Sequence, residues 1–216
     1  MITIDPDSDI LGVVDVQRTF MPGGELPVTD GDVVVPVING LLALFPHAFA
    51  TQDWHPAGHT SFASRHPGRA PFDEIILPYG KQTLWPDHAL IGSANAKIHP
   101  DIRQDRIELI IRKGFRPELD SYSAFFENDR TTPTGLDGWL RQRGFRNLYL
   151  AGLATDFCVA WSAEDAVRLG YRVTIIEDAC RGIGVPTGNG RTTLDDTSDR
   201  LHGMGVRYID GSALAN

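Results

Sequence analysis

The chain has 216 residues, a formal net charge of −8, 42% hydrophobic residues and 22% charged residues, a length that suits one α/β core and a composition in the ordinary globular range. The negative balance argues against nucleic acid, whose recognition needs a basic face, and leaves a small molecule as the expected ligand. No apolar stretch approaches the roughly 20 residues of a membrane span, and residues 1–8 lack the charged-then-apolar order of a signal peptide, so a cytoplasmic chain with no membrane partner is expected.

Taken in chain order, short apolar runs rich in β-branched residues at Ile10–Val16, Ala48–Thr51, Ile107–Ile111, Leu148–Leu153, Val173–Ile176 and Val206–Ile209 read as strands buried on both faces. The first helix puts Val34, Val37, Ile38, Leu41, Leu42 and Phe45 on one face at helical spacing. Further helices are expected over Thr134–Arg143 before Gly144, from about Asp156 to Leu169 before Gly170, and more weakly over Arg191–Met204 before Gly205. Strands alternating with helices predict a mostly parallel six-stranded sheet in a three-layer α/β/α domain. The reading is one domain over 1–216 with a loop-rich insertion at about 54–100. That stretch is too long to be a plain connector of ~4–6 residues. It carries Trp54, His55, His59, His66, Trp85 and His88, which favours a functional role.

Ligands of open parallel sheets bind beyond the carboxyl ends of the strands, and polar candidates are placed at four of those ends. Asp15 ends the first strand, Asp53 and His55 follow the second, Lys113 ends the third, and Cys158 follows the fourth at the start of a helix. A thiol in a first helical turn feels the positive end of the macrodipole, which favours thiolate. Alone, Cys158 reads as a buried structural cysteine, Asp15 as a turn former and Lys113 as a surface charge. Together they offer a nucleophile, a proton acceptor and a cation that keeps the acceptor ionised. The second cysteine, Cys180, is expected to be a packed small residue without a disulfide to Cys158.

Asp53 and His55 lie two apart in an extended segment, so their side chains point the same way. A carboxylate and an imidazole suit zinc, iron or manganese. The third ligand is open between His88 and His59, with His66 disfavoured by the Pro-Gly-Arg turn after it. Phe20, Trp85, Tyr122 and Phe125 could wall a flat heteroaromatic ring or pack as satellite core, the latter applying most to Phe125 and Phe126.

The segments VVDVQRTFMPGGEL (13–26), ATQDWHPAGHTSFAS (50–64), LWPDH (84–88), RKGFRPELDSYSAF (112–125) and GLATDFCVAWSAEDAVRLGY (152–171) resemble the nicotinamidase branch of the isochorismatase-like cysteine hydrolases, over residues 10–209. The resemblance implies a catalytic triad of Asp15, Lys113 and Cys158, and one divalent metal, zinc before iron or manganese, on Asp53, His55 and His88, with His59 where some relatives supply a further ligand. It implies a cis peptide between Leu153 and Ala154, an oxyanion hole from the N–H groups of Ala154 and Cys158, and a nicotinamide ring held between Phe20 and Trp85, with Tyr122 beside them. One departure is visible: His88 is followed by Ala89-Leu90-Ile91-Gly92-Ser93, where many relatives read a cysteine and a Gly-Thr turn. The expected activity is hydrolysis of nicotinamide to nicotinate and ammonia in NAD salvage. Its rivals are family members acting on N-carbamoyl compounds, maleamate or isochorismate, which generally lack the Asp-X-His pair, and a silent binding module. A redox role for the two thiols is weaker, because no Cys-X-X-Cys pair exists. Assembly is left open, with a homo-oligomer admissible.

Overall fold

The computed structural model describes residues 1–188 and 190–215. In chain order its strands are β1 (Ile2–Thr3), β2 (Asp9–Val14), β3 (Ala48–Asp53), β4 (Glu74–Leu77), β5 (Gly80–Thr83), β6 (Leu109–Lys113), β7 (Asn147–Leu153), β8 (Arg172–Arg181), β9 (Pro186–Gly188), β10 (Arg191–Thr192), β11 (Arg207–Ile209) and β12 (Leu214–Ala215). The α-helices are α1 (Val34–Leu44), α2 (Leu136–Gln142), α3 (Ala160–Arg168) and α4 (Thr193–Gly203). Six strands form the central sheet in the order β11–β8–β7–β2–β3–β6, every neighbouring pair parallel. All residues of β2 and β3 are buried, as a parallel sheet covered on both faces requires.

The three layers follow from handedness. The chain crosses from β2 through α1 to β3 in one direction along the sheet, and from β7 through α3 to β8 in the other. Right-handed crossovers of opposite direction lay their helices on opposite faces. The apolar stripe of α1, with Val34, Val35, Ile38, Leu41 and Leu42 buried, closes one face together with Phe45 and Phe49. Order along the sheet reverses at β2: β3 and β6 are added on one side before the chain returns to lay β7, β8 and β11 on the other. The carboxyl ends beside such a reversal diverge into a crevice, the usual ligand position in open α/β sheets.

All six expected strands form, with shifted ends. β2 stops at Val14 because Asp15 turns to a left-handed φ of 47°. β3 runs on to Asp53, which pairs in register with Lys113 of β6. β8 continues through Glu177 and Asp178, whose charges end the apolar run on which the shorter expectation rested. The helix expected from Asp156 instead opens with a π-turn over Thr155–Val159 before α3 begins. Helix α4 starts at a capping box in which Thr192 and Asp195 exchange bonds with each other's backbone N–H. The 54–100 stretch contains an antiparallel hairpin, β4–β5, that the sequence reading did not foresee. Pro78 and Tyr79 there looked like loop composition and are its turn. Among the described residues, no helix is long and apolar enough to cross a membrane.

Candidate active site

Lys113 lies at the centre of the carboxyl-end crevice, fully buried at the end of β6. Its Nζ donates to Asp53 Oδ1, to the Ser121 carbonyl at 3.0 Å and to Cys158 Sγ at 3.3 Å, and pairs with Asp15 Oδ2 at 2.8 Å. Burial alone would strip the ammonium of its proton. The two carboxylates override it and hold the Lys113 pKa well above its ordinary value. One cation therefore touches Asp15, Asp53 and Cys158 at once.

Asp15 is fixed from the neighbouring strand: Thr51 Oγ1 donates to its Oδ1 at 2.6 Å and accepts from its backbone N–H at 3.1 Å. Its Oδ2 has no well-directed hydrogen bond despite the ion pair with Lys113, which leaves that oxygen free to take a proton. Burial raises the Asp15 pKa, against the pull of Lys113 and with the push of Asp53. Asp53 behaves in the opposite way. Burial opposes its ionisation, but above all the Lys113 charge holds its carboxyl below the usual range, with His88 and His55 nearby acting the same way. Carboxyl oxygens of Asp15 and Asp53 and the thiol of Cys158 all lie within 4.8 Å of one another.

Two opposing influences act on the thiol. Burial pushes the Cys158 pKa well above its ordinary value, Lys113 pulls it down, and the charges of Asp15 and Asp53 push it up again. Loss of water around sulfur thus works against the dipole at the start of the helix and opposes ionisation of the thiol. The thiol needs a base beside it, and Asp15 is there. Cys180 is a separate buried free thiol in β8, 3.9 Å from the Leu150 carbonyl.

Beyond Asp53, ligand atoms of Asp53, His55 and His88 cluster within 4.8 Å of one another. Both imidazoles have one nitrogen committed to an acceptor: His88 Nδ1 to the Pro86 carbonyl at 2.8 Å, and His55 Nε2 to Asp120 Oδ1 at 3.3 Å. Each is thereby set to the tautomer whose other nitrogen carries a lone pair. His55 Nδ1 is buried without a hydrogen-bond partner, and His88 Nε2 lies 3.6 Å from Asp53 Oδ2. An orphaned imidazole nitrogen beside an ionised carboxylate is the donor set of a divalent cation of borderline hardness.

His59, the further candidate ligand, stacks with its ring centre 4.5 Å from that of His55, but Ser61 Oγ and the Leu119 carbonyl engage its nitrogens. It groups with His55 and Asp120 rather than with Asp53 and His88. His66 is outside the cluster, its Nε2 bonded to the Thr60 carbonyl at 2.8 Å.

The narrow cavity at this crevice leaves only about 20 Å³ for the centre of a water molecule. Phe20, Trp85, Tyr122, Ala154 and Cys158 line it together with Asp53, His55 and His88. Leu26, Asp120, Phe157 and Ile183 line it as well, unforeseen from sequence. Trp85 Nε1 donates to the Tyr122 hydroxyl at 3.0 Å, which sets the two rings edge to face at 78°. Phe125 is core, packed on Tyr171. The peptide between Leu153 and Ala154 is cis. The departure after His88 begins with a buried Ala89 at a left-handed φ of 48°, its N–H bonded to Thr19 Oγ1.

Several supporting residues carried no signal in the sequence. The Gln17 side chain clamps both the N–H and the carbonyl of Asp53. Gln82, on β5, donates to Asp120 Oδ2 at 2.7 Å and to the Tyr122 hydroxyl at 2.9 Å. Gly114 is required by contact: a Cβ there would lie 2.6 Å from His55 Nε2, at a φ of +69° that disfavours any side chain. The Gly114→Ala substitution is expected to cost about 1–3 kcal/mol of stability and to displace the His55 ring. Thermal unfolding and the metal content of the purified variant check both effects.

A wider groove of 630 Å³ lined by Arg141, Arg146 and Arg172 lies at the opposite, amino end of the strands. It is remote from this chemistry. Its Arg141 reaches the carbonyl of Leu169 at the end of α3, as a cation does at a helix C-terminus.

A nicotinamidase of Acinetobacter baylyi is 53% identical over 171 residues, covering 79% of this chain and 80% of that protein. The structure of a nicotinamidase/pyrazinamidase of Acinetobacter baumanii superposes with a TM-score of 0.92 at 48% identity, covering 97% and 99% of the two chains. A pyrazinamidase of Pyrococcus horikoshii in complex with zinc superposes with a TM-score of 0.74 at 30% identity, covering 94% and 99%. The isochorismatase-domain family model matches residues 9–187, from the first residue of β2 through Lys113 and Cys158 into β9. A match of that extent, on the same sheet order and with the polar residues of the crevice inside it, makes this chain a member of the isochorismatase family.

Proposed function

We propose that the chain is a nicotinamidase that hydrolyses nicotinamide to nicotinate and ammonia, with Asp15, Lys113 and Cys158 as its catalytic triad and residues 1–216 as a single hydrolase domain. The observation that carries the reading is the buried ammonium of Lys113 in contact with both Asp15 and Cys158. The likeness to nicotinamidases supports the choice of substrate.

Asp15 removes the thiol proton, and the Cys158 sulfur attacks the carboxamide carbon. The carbonyl oxygen becomes an oxyanion, which the N–H groups of Ala154 and Cys158 receive. Asp15 returns its proton to the amide nitrogen, the C–N bond breaks and ammonia leaves a thioester. Water then attacks the thioester carbon with Asp15 again as base, and nicotinate departs as the thiol is restored. Lys113 holds Asp15 ionised at the start of each half-reaction and offsets the negative charge that passes to sulfur.

Phe20 and Trp85 hold the ring, and Tyr122 supports Trp85. Asp53, His55 and His88 would hold a divalent ion, zinc before iron or manganese, which when bound supplies a Lewis-acid anchor for the pyridine nitrogen. This activity places the chain in NAD salvage. A cytoplasmic location suits a nucleophile that must stay reduced.

Comparison of two amides tests the reading. Benzamide replaces the pyridine nitrogen by C–H and keeps the carboxamide. It is expected to be a poor substrate beside nicotinamide, and chelation or Asp53→Ala should cost nicotinamide more than benzamide, because only nicotinamide loses a contact. The leading effect is a rise in KM, with a fall in kcat where loss of the anchor misplaces the carbonyl by ~1 Å. Ammonia release from both amides by metal-loaded, metal-free and Asp53→Ala protein decides it. Equal losses would assign the metal to the chemical step or to the fold.

A further inference from the structure

The cavity at Cys158 is too tight to be entered without movement, and a second cavity lies against it. This outer cleft, of 690 Å³, runs between the β4–β5 hairpin and the 185–200 segment. The side chain shared by the two is Phe157, the residue before Cys158. Its ring stands edge-on to Trp85 with centres 4.9 Å apart at 85°, and edge-on to Tyr122 at 5.7 Å. Both of those rings belong to the inner cavity. Phe157 itself is only half-buried.

On the outer side, Phe72 contacts Trp85 edge-on at 5.8 Å while remaining 46% exposed. Its backbone sits at a φ of 73°, a region in which a bulky residue is an outlier, held when the surroundings require it. An aromatic ring is thus kept at the cleft mouth at a conformational cost.

We propose that Phe157, with Phe72 outside it, is the gate between the outer cleft and Cys158 and the residue that limits the size of group the inner site admits. Substrate arrives through the cleft and the Phe157 ring swings aside, a local motion of the kind that commonly governs entry and release. The charged groups of the cleft are satisfied among themselves or by neighbours: Glu74 pairs with Lys81 at 2.7 Å, Asp196 with Arg191 at 2.6 Å and Arg200 with Glu164 at 2.6 Å, Asp73 accepts from the Ala70 N–H, and Asp156 accepts from the N–H groups of Ile183 and Gly184. A group extending from the inner site into the cleft would therefore be accepted if uncharged. The size limit rests on the amidase reading above, whereas the route of access does not.

The test separates the two. Alkylation of Cys158 by N-ethylmaleimide, followed by peptide mass analysis with buried Cys180 as the internal reference, reads access without any turnover. If the open form of the gate is a minor state, Phe157→Ala should raise the Cys158 labelling rate about tenfold or more, with Phe157→Leu in between and Cys180 unlabelled. Thr187→Trp, which adds bulk in the outer cleft, should slow labelling of the otherwise native protein. Unchanged rates in both Phe157→Ala and Thr187→Trp overturn the gate, and labelling of Cys180 in step with Cys158 overturns it too by showing general loosening. For the size limit, the ratio of kcat/KM for N-methylnicotinamide to that for nicotinamide should rise about tenfold or more in Phe157→Ala, and an unmoved ratio overturns that part. Absence of ammonia release by wild type would sink the amidase reading and leave the labelling result standing.

Discussion

Replacing Cys158 by alanine is expected to abolish turnover of nicotinamide, by several orders of magnitude, while the fold is retained. In the proposed mechanism the sulfur carries the acyl group between the two half-reactions, and members of a nucleophile–base set act as a unit, so loss of one forfeits nearly all of their joint effect. The side chain is buried but small, and its removal leaves a cavity no larger than one sulfur atom. Stability should drop far less than activity. Ammonia release by the purified variant, together with its circular dichroism and thermal unfolding, checks the pair of expectations. Intact-mass analysis of wild type with an aldehyde analogue of the substrate should show one adduct, absent in Cys158→Ala. Retained turnover in that variant would remove the covalent mechanism.

Asp15→Asn should produce a loss of comparable size for a different reason. The amide keeps the shape and the Thr51 contact of the carboxylate but cannot carry a proton. The structure makes this severe, because burial opposes ionisation of the neighbouring thiol, which therefore depends on a base. Both formation and breakdown of the thioester should slow in single-turnover measurements. Lys113→Ala is expected to act more on the first step than the second, since the charge it offsets is largest when sulfur is ionised. It would also leave two buried carboxylates without their cation, so stability should fall as well. Near-wild-type turnover of Asp15→Asn across pH would require another proton acceptor for Cys158.

Much of this arrangement was legible before any coordinates. Parallel strands bring their carboxyl ends to one edge of the sheet, so Asp15, Asp53, Lys113 and Cys158 could be brought together from strand order alone. The Asp-X-His spacing put Asp53 and His55 on one side by extended-chain geometry. Other parts had no such rule behind them. Asp120 and Gln82 act through contacts between a loop and the β4–β5 hairpin, and neither segment shows periodicity. Gly114 was silent, because a glycine required by the ring of a residue 59 positions earlier looks like any turn glycine. His59 was an open candidate until its nitrogens were seen bonded to Ser61 and Leu119. How strongly burial opposes ionisation of the thiol was not legible, because helix position is visible in a sequence and depth of burial is not.

The lysine at the heart of the crevice grows from β6, the outermost strand of the sheet. Its stem must span from that margin past β3 to reach Asp15 at the end of β2, so one side chain ties together three strands of the sheet and reaches Cys158 after a fourth, β7. Strand margins are where sheets fray first, through openings that need only a fraction of the global unfolding free energy. Detachment of β6 would withdraw the ammonium from Asp15, Asp53 and Cys158 at one stroke, with β2, β7 and β8 still paired. Loss of activity under mild denaturation is therefore expected to precede loss of the core, set by how firmly one marginal strand is stitched to its neighbour.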